Sequence, residues 1–209
     1  MSQKLTSPPN GTALFRKSTL SRNSRRLNDF DDIPPWRILS WGWKWAIDTL
    51  MKEAKVGVCS SDHYYPILFV FRHYLEIKLK ELIISLELYL HSKTIPDTTF
   101  KDKKYRHNIK ALWKDCEILL IEFSDSLKES DDSEYHVQNL SDFQRIGQIV
   151  NELYDKDPTS ETFKYPFPDK NKQFVIDMNH FSENVTWVSN EMEAISDWIE
   201  AIRDGDHLQ

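Results

Sequence analysis

Arg72, His73, Glu76 and Lys80 lie within ten residues of one another in FRHYLEIKLK, residues 71–80. The stretch around them, residues 64–90, is otherwise strongly apolar. Ionisable groups on such a segment must be paired, neutralised or used. Arg72 with Glu76, and Glu76 with Lys80, stand four residues apart, so a helix lets each pair meet. Two readings stay open. In one, the four groups form a partly buried salt-bridge network that fixes helix packing. In the other they converge on a sheltered hollow, where Arg72 holds a phosphate, His73 moves a proton and Glu76 orients one of them.

Acid–base chemistry at a bound phosphate needs a base, a cation and an acid held close together. Arg72, His73 and His107 are the catalytic candidates for such a site. Glu76, Lys80, Lys164 and Tyr165 are the binding candidates. For His107, in RHNIKALW (106–113), the alternative is a residue that opens a helix by bonding the backbone. For Lys164 and Tyr165, in SETFKYPFPD (160–169), it is a loop packed down by its aromatic rings.

Helical periodicity supplies the elements that must position these residues. Pro34 and Pro35 set up a first helix, with Trp36, Leu39, Trp43, Ala46 and Leu50 on its expected core stripe. A second runs from about Tyr64 to Leu90. On a wheel, Leu68, Phe71, Leu75, Leu79, Leu82 and Leu86 share one stripe. Lys78, Glu81 and Ser85 share a side that reads as solvated. Asn108 is a plausible cap for a third helix, whose stripe is Leu112, Cys116, Leu119 and Phe123. A fourth covers about Leu140 to Tyr154. In the last, Phe174, Met178, Phe181, Val185, Val188, Met192, Ile195, Ile199 and Ile202 alternate steps of four and three. That seam suits a bundle core or a dimer contact. The expected fold is all-α, a bundle of about five helices ending in a long one.

Composition agrees. The chain has 209 residues, 7 Trp, 11 Phe and 8 Tyr, enough apolar mass for one domain, and its 5 Gly argue against a turn-rich β architecture. With so few glycines no phosphate-binding loop can be drawn, and the scattered histidines and acids offer no metal-ligand spacing, so neither cofactor nor metal is expected. Cys59 and Cys116 read as packed, reduced thiols, and no run is apolar enough to span a membrane, which points to the cytoplasm. Residues 1–28 hold Lys4, Arg16, Lys17, Arg22, Arg25 and Arg26 and no acid, so a net charge of −6 leaves −12 on the remainder. Residues 1–33 are therefore read as a disordered basic arm on an acidic domain, 34–209, with docking on phosphate or on the acidic body as its two uses. Trp36, Trp43 and Trp45 are read as packing residues.

The pattern of Pro66, Arg72, His73, Glu76, Leu79 and Lys80, followed by His107, Leu112 and Trp113, resembles that of HEPN-like bacterial proteins. The SETFKYPFPD stretch is similar to a Phe-Arg-Tyr-Pro element of the same group, with Lys164 in place of the Arg. The resemblance covers about residues 36–170. It implies a four- or five-helix bundle, frequently a homodimer, that acts on RNA or a nucleotide in anti-phage defence or toxin–antitoxin systems. The activity implied is that of a metal-independent endoribonuclease; the alternative is a non-catalytic subunit holding an antitoxin or other defence partner. The nuclease branch carries Arg, four to six residues, then His. Here Arg72 and Arg106 each precede a His directly, and Arg203 to His207 leaves only three residues between.

Overall fold

Five α-helices and one short 3-10 turn make up the described residues, and no strand occurs among them. The computed structural model describes residues 35–54, 64–95, 97–102, 104–129, 140–164 and 176–206, all of them in one unit of the chain. The basic arm, Cys59, Tyr165 and Phe174 fall outside the described residues. The helices are α1 (Pro35–Glu53), α2 (Tyr64–His91), α3 (Ile109–Glu129), α4 (Leu140–Lys156) and α5 (Met178–Asp206). No helix among the described residues is long and apolar enough to cross a membrane.

Local chemistry sets the helix ends. Pro35 opens α1, where its missing N–H is not needed. Asn108 caps α3, its Oδ1 accepting the Ala111 N–H at 3.0 Å. Asp177 caps α5 in the same way, accepting the N–H groups of Asn179 and His180 at 3.0 and 3.1 Å. Beyond α2, Ser92 enters the left-handed region with φ 49°.

Packing centres on α2, which contacts α1, α3 and α5. Its expected stripe from Leu68 to Leu86 is buried throughout, as is the α3 stripe of Leu112, Cys116, Leu119 and Phe123. Burial pushes the Cys116 thiol far up, so it stays protonated. Val185, Val188, Met192, Ile195, Ile199 and Ile202 of α5 join the same core. The chain's own bundle therefore uses that seam. Helices α3 and α4 approach closely at Gly147, where a Cβ would stand 2.5 Å from the Trp113 indole nitrogen.

Three expectations need correction. Trp36, Trp43 and Leu50 of the expected α1 stripe do pack on the core, but the fully buried residues are Arg37, Ser40, Ile47 and Met51, one residue round, and Leu39 is 48% exposed. Lys78 and Glu81 are buried rather than solvated, with Lys78 at 0% exposure. Trp45 does not pack: it is 71% exposed. One polar network explains the first two. Lys78 Nζ bonds Glu81 Oε1 and Glu193 Oε2, each at 2.9 Å. Glu81 also accepts the Ser40 hydroxyl and, at 2.6 Å, that of Ser196. Arg37 reaches Ser196 at 3.1 Å and Asp197 at 2.7 Å, and pairs with Glu200. Buried charge is tolerated here because α1, α2 and α5 each supply a partner.

Candidate functional site

Arg72 lies at the centre of the second polar cluster and is 0% exposed. One of its η nitrogens is 3.3 Å from Glu76 Oε2, the other donates to the His107 carbonyl, and its Nε donates to the Asp157 carbonyl at 3.2 Å. Asp157 Oδ2 lies 3.3 Å from the same Nε, an ion-pair contact without hydrogen-bond geometry. Asp157 Oδ1 accepts the N–H groups of Glu161 and Thr162 at 2.8 and 3.0 Å, which fixes the turn after α4. Three sequence-distant segments thus meet on one guanidinium.

Besides Arg72, Glu76 holds two further partners. Oε1 accepts from Lys80 Nζ at 2.7 Å, and Oε2 stands 3.2 Å from His107 Nδ1. Burial pushes the Glu76 carboxyl up, but the bonds and charge of Lys80 and His107 outweigh it and hold the group below its ordinary value. A carboxylate only accepts, so Nδ1 carries a proton toward it; the neutral tautomer this selects has its lone pair on Nε2. The His107 side chain is 42% exposed, and its backbone sits in the left-handed region at φ 57°. For a non-glycine residue this conformation costs free energy, and it persists where surroundings enforce it. Here Arg72 grips the carbonyl and Glu76 the ring.

Lys80 is held between aromatic faces as well, its Nζ 5.7 Å from the Trp36 ring centre and 5.9 Å from that of Phe100. His73 is not hydrogen-bonded to this cluster. Its ring stacks on Phe69 at 6.0 Å and meets Trp43 edge-on at 4.5 Å. Lys164 is exposed and places its Nζ 5.7 Å from the Phe69 ring centre, on the His73 side. Arg72, Glu76, Lys80 and His107 are therefore brought together, with His73 and Lys164 as a flanking aromatic–cation group.

The structure assigns Arg72 a different part from phosphate binding. Its donors are spent on protein groups and no part of it is exposed, so it positions His107 rather than touching a ligand. Arg72 and Lys80 balance Glu76 and Asp157, and Lys164 stands as an exposed cation on the His73 side. The expected hollow lies elsewhere. A cavity of about 430 Å³ between α2, α4 and α5 is lined by residues such as Leu68, Phe163 and Phe181, and a groove of about 590 Å³ runs between α3 and α4. Neither is lined by the four α2 groups. Asp157 is the residue that sequence reasoning missed. Its signal was an Asp directly before Pro158, a turn-forming pair, within a segment read only as a Pro-bracketed loop.

Two histidines of α2, His73 and His91, give opposite pH responses. Burial lowers the His73 pKa, helped by the cations Lys80, Lys164 and Arg72 and opposed by Glu76. As pH falls below about 6.5, the unfolded chain takes up a proton that folded His73 resists, so His73 reduces stability on the acid side. Hydrogen bonds to Glu87 and Glu122 raise exposed His91. Its stabilising share is present below about 6.5 and fades as pH rises through the folded value. Melting temperatures measured between pH 7.5 and 5.5 should therefore drop less in His73→Gln than in the parent, and more in His91→Gln. An unchanged acid response in His73→Gln would mean that its imidazole is solvated.

No family model, curated protein or solved structure matches this chain.

Proposed function

We propose that the chain is an RNA-directed effector of a bacterial defence or toxin–antitoxin system, a HEPN-like bundle in which His107 handles the proton. What supports this reading above all is the Glu76–His107 pair: a buried carboxylate orienting a part-exposed imidazole whose backbone is held in a strained conformation. A carboxylate on Nδ1 fixes the tautomer that leaves Nε2 as a base, the arrangement nucleophile-activating histidines use. In the proposed step Nε2 takes the proton of a ribose 2′-hydroxyl and O2′ bonds to the adjacent phosphorus. The bond from phosphorus to O5′ breaks, and solvent protonates O5′. Lys164 faces the phosphate, His73 and Phe69 offer flat surfaces to a base, and Arg72 and Glu76 act as positioning residues. Tyr165 and Lys80 keep the binding roles the sequence suggests, Lys80 through its hold on Glu76.

The test is expression of the parent chain and of His107→Ala, scored for growth arrest and for breakage of cellular RNA. The expected result is arrest and cleavage by the parent and a loss of about 100-fold in cleavage for His107→Ala, the usual share of a positioned base. Normal cleavage by His107→Ala would remove this residue from the mechanism.

A second reading, a non-catalytic interaction subunit, is favoured by the outer surface of α1. Leu39, Trp41 and Trp45 are all exposed there, a composition suited to a protein partner. The α5 seam is already buried, so a homodimer or a defence partner would sit on such a surface instead. Absence of arrest and RNA breakage from the parent, with a stable complex recovered from the host, would favour this reading.

A further inference from the structure

The groove between α3 and α4 begins at Asn108, the residue after His107, and continues along both helices. Its walls combine three chemistries. Lys110 and Lys114, both exposed on α3, sit one helical turn apart, about 6 Å along the axis. Gln148 and Asn151 present side-chain amides from α4, each able to donate and accept. Tyr154 adds a half-buried ring, with Lys110 Nζ 5.8 Å from its centre.

The floor adds an independent observation. Trp113 is 3% exposed overall, and it lines this groove together with Gly147. Its nitrogen lies against Gly147, and any side chain at Gly147 would collide with it. The bare glycine therefore keeps a donor uncovered at the bottom of an amide-rich groove.

We infer that this groove binds one nucleotide unit of a single RNA strand, with Lys110 and Lys114 on phosphates and Gln148, Asn151 and the Trp113 N–H on a base edge. The inference rests on the proposed action on RNA and names where the strand next to the cut is held. Amides match a base edge because both display donors and acceptors, whereas an acidic peptide would need cations alone. Tyr154 offers a base a stacking face. Glu117, at the lining of the same groove, disfavours phosphate near it, which leaves the phosphates to the two lysines.

The experiment titrates the full chain with a short fluorescein-labelled single-stranded RNA over a range of salt, followed by anisotropy. In the Lys110→Glu/Lys114→Glu variant, affinity should fall at least about tenfold and the salt slope by about 1.4, the share of two phosphate contacts on a single strand. Both lysines are exposed, so the variant should keep the parent's circular dichroism and melting temperature. Gln148→Ala/Asn151→Ala should change base preference and leave the salt slope alone. Adenosine monophosphate that displaces the RNA makes a free nucleotide sufficient; RNA that it cannot displace makes the strand the ligand, and both uphold the groove. Unchanged affinity and slope in the lysine variant, as when the basic residues between Lys4 and Arg26 carry all binding, overturns the inference. So does a parent that binds no RNA.

His107→Ala separates this inference from the proposed chemistry. It should bind RNA like the parent. A parent that binds through the groove and never cleaves rejects the cleavage step and keeps the groove. Normal binding and cleavage by the lysine variant does the reverse.

Discussion

Arg72→Ala should destabilise the fold by about 3–5 kcal/mol, the range for removing one partner from a buried charge network. The guanidinium it deletes is wholly buried and bonds two backbone carbonyls, at Asp157 and His107, besides the Glu76 carboxylate. Without it, Glu76 retains Lys80, but the Asp157 carboxylate loses its buried cation and both carbonyls lose a donor. Domains of this kind have only about 5–15 kcal/mol in total. A chain of this length should melt about 6–20 °C lower, and urea unfolding should show a matching fall in midpoint. A variant within about 1 kcal/mol of the parent would mean that the guanidinium is solvated in solution. The result also governs how activity data are read. Lost activity in Arg72→Ala follows from a loosened His107 loop whatever the chemistry, so the half-exposed His107 is the informative position.

The stripes of α2, α3 and α5 were legible in the sequence because each is apolar at helical spacing and buries against several neighbours. Asn108 was legible because capping is local: the residue and the N–H it accepts are three positions apart. Arg72, Glu76 and Lys80 were legible as a paired set for the same reason. What periodicity could not reveal was which polar side chains other helices would receive. Arg37 and Ser40 turn inward on α1 because Ser196 and Asp197 of α5 and Glu81 of α2 await them, more than 40 positions away in each case. That pairing rotates α1 and leaves Leu39 in solvent. His107 was nominated by its chemistry alone. Its bond to Glu76 spans 31 positions, a relation carried by the packing of the α2–α3 connection and not by spacing. The Arg72 phosphate role failed on the same ground, since the segments that use up its donors are remote.

Lys78 carries the second large effect, and it is the residue whose sequence reading was most misleading. Its ammonium is shared by Glu81 and Glu193, and Glu193 also accepts the Tyr74 hydroxyl at 2.9 Å. Burial, with the Glu193 charge and hydrogen bond, pushes Tyr74 well above its ordinary range, so it remains a donor to that carboxylate. Lys78→Ala would leave two carboxylates without their shared cation, the Glu81 one buried and the Glu193 one partly buried, between α2 and α5. A loss of about 3–5 kcal/mol at pH 7 is expected. Lys44, paired with the more exposed Asp48, is the control, and Lys44→Ala should stay within about 1 kcal/mol of the parent. The pH dependence identifies the cause. Burial and like charge both favour protonation of one orphaned carboxyl, so the deficit should shrink as pH falls from 7 toward 5. Urea unfolding of both proteins at the two pH values measures the difference. A deficit independent of pH would assign it to the lost packing of the lysine stem rather than to the paired acids.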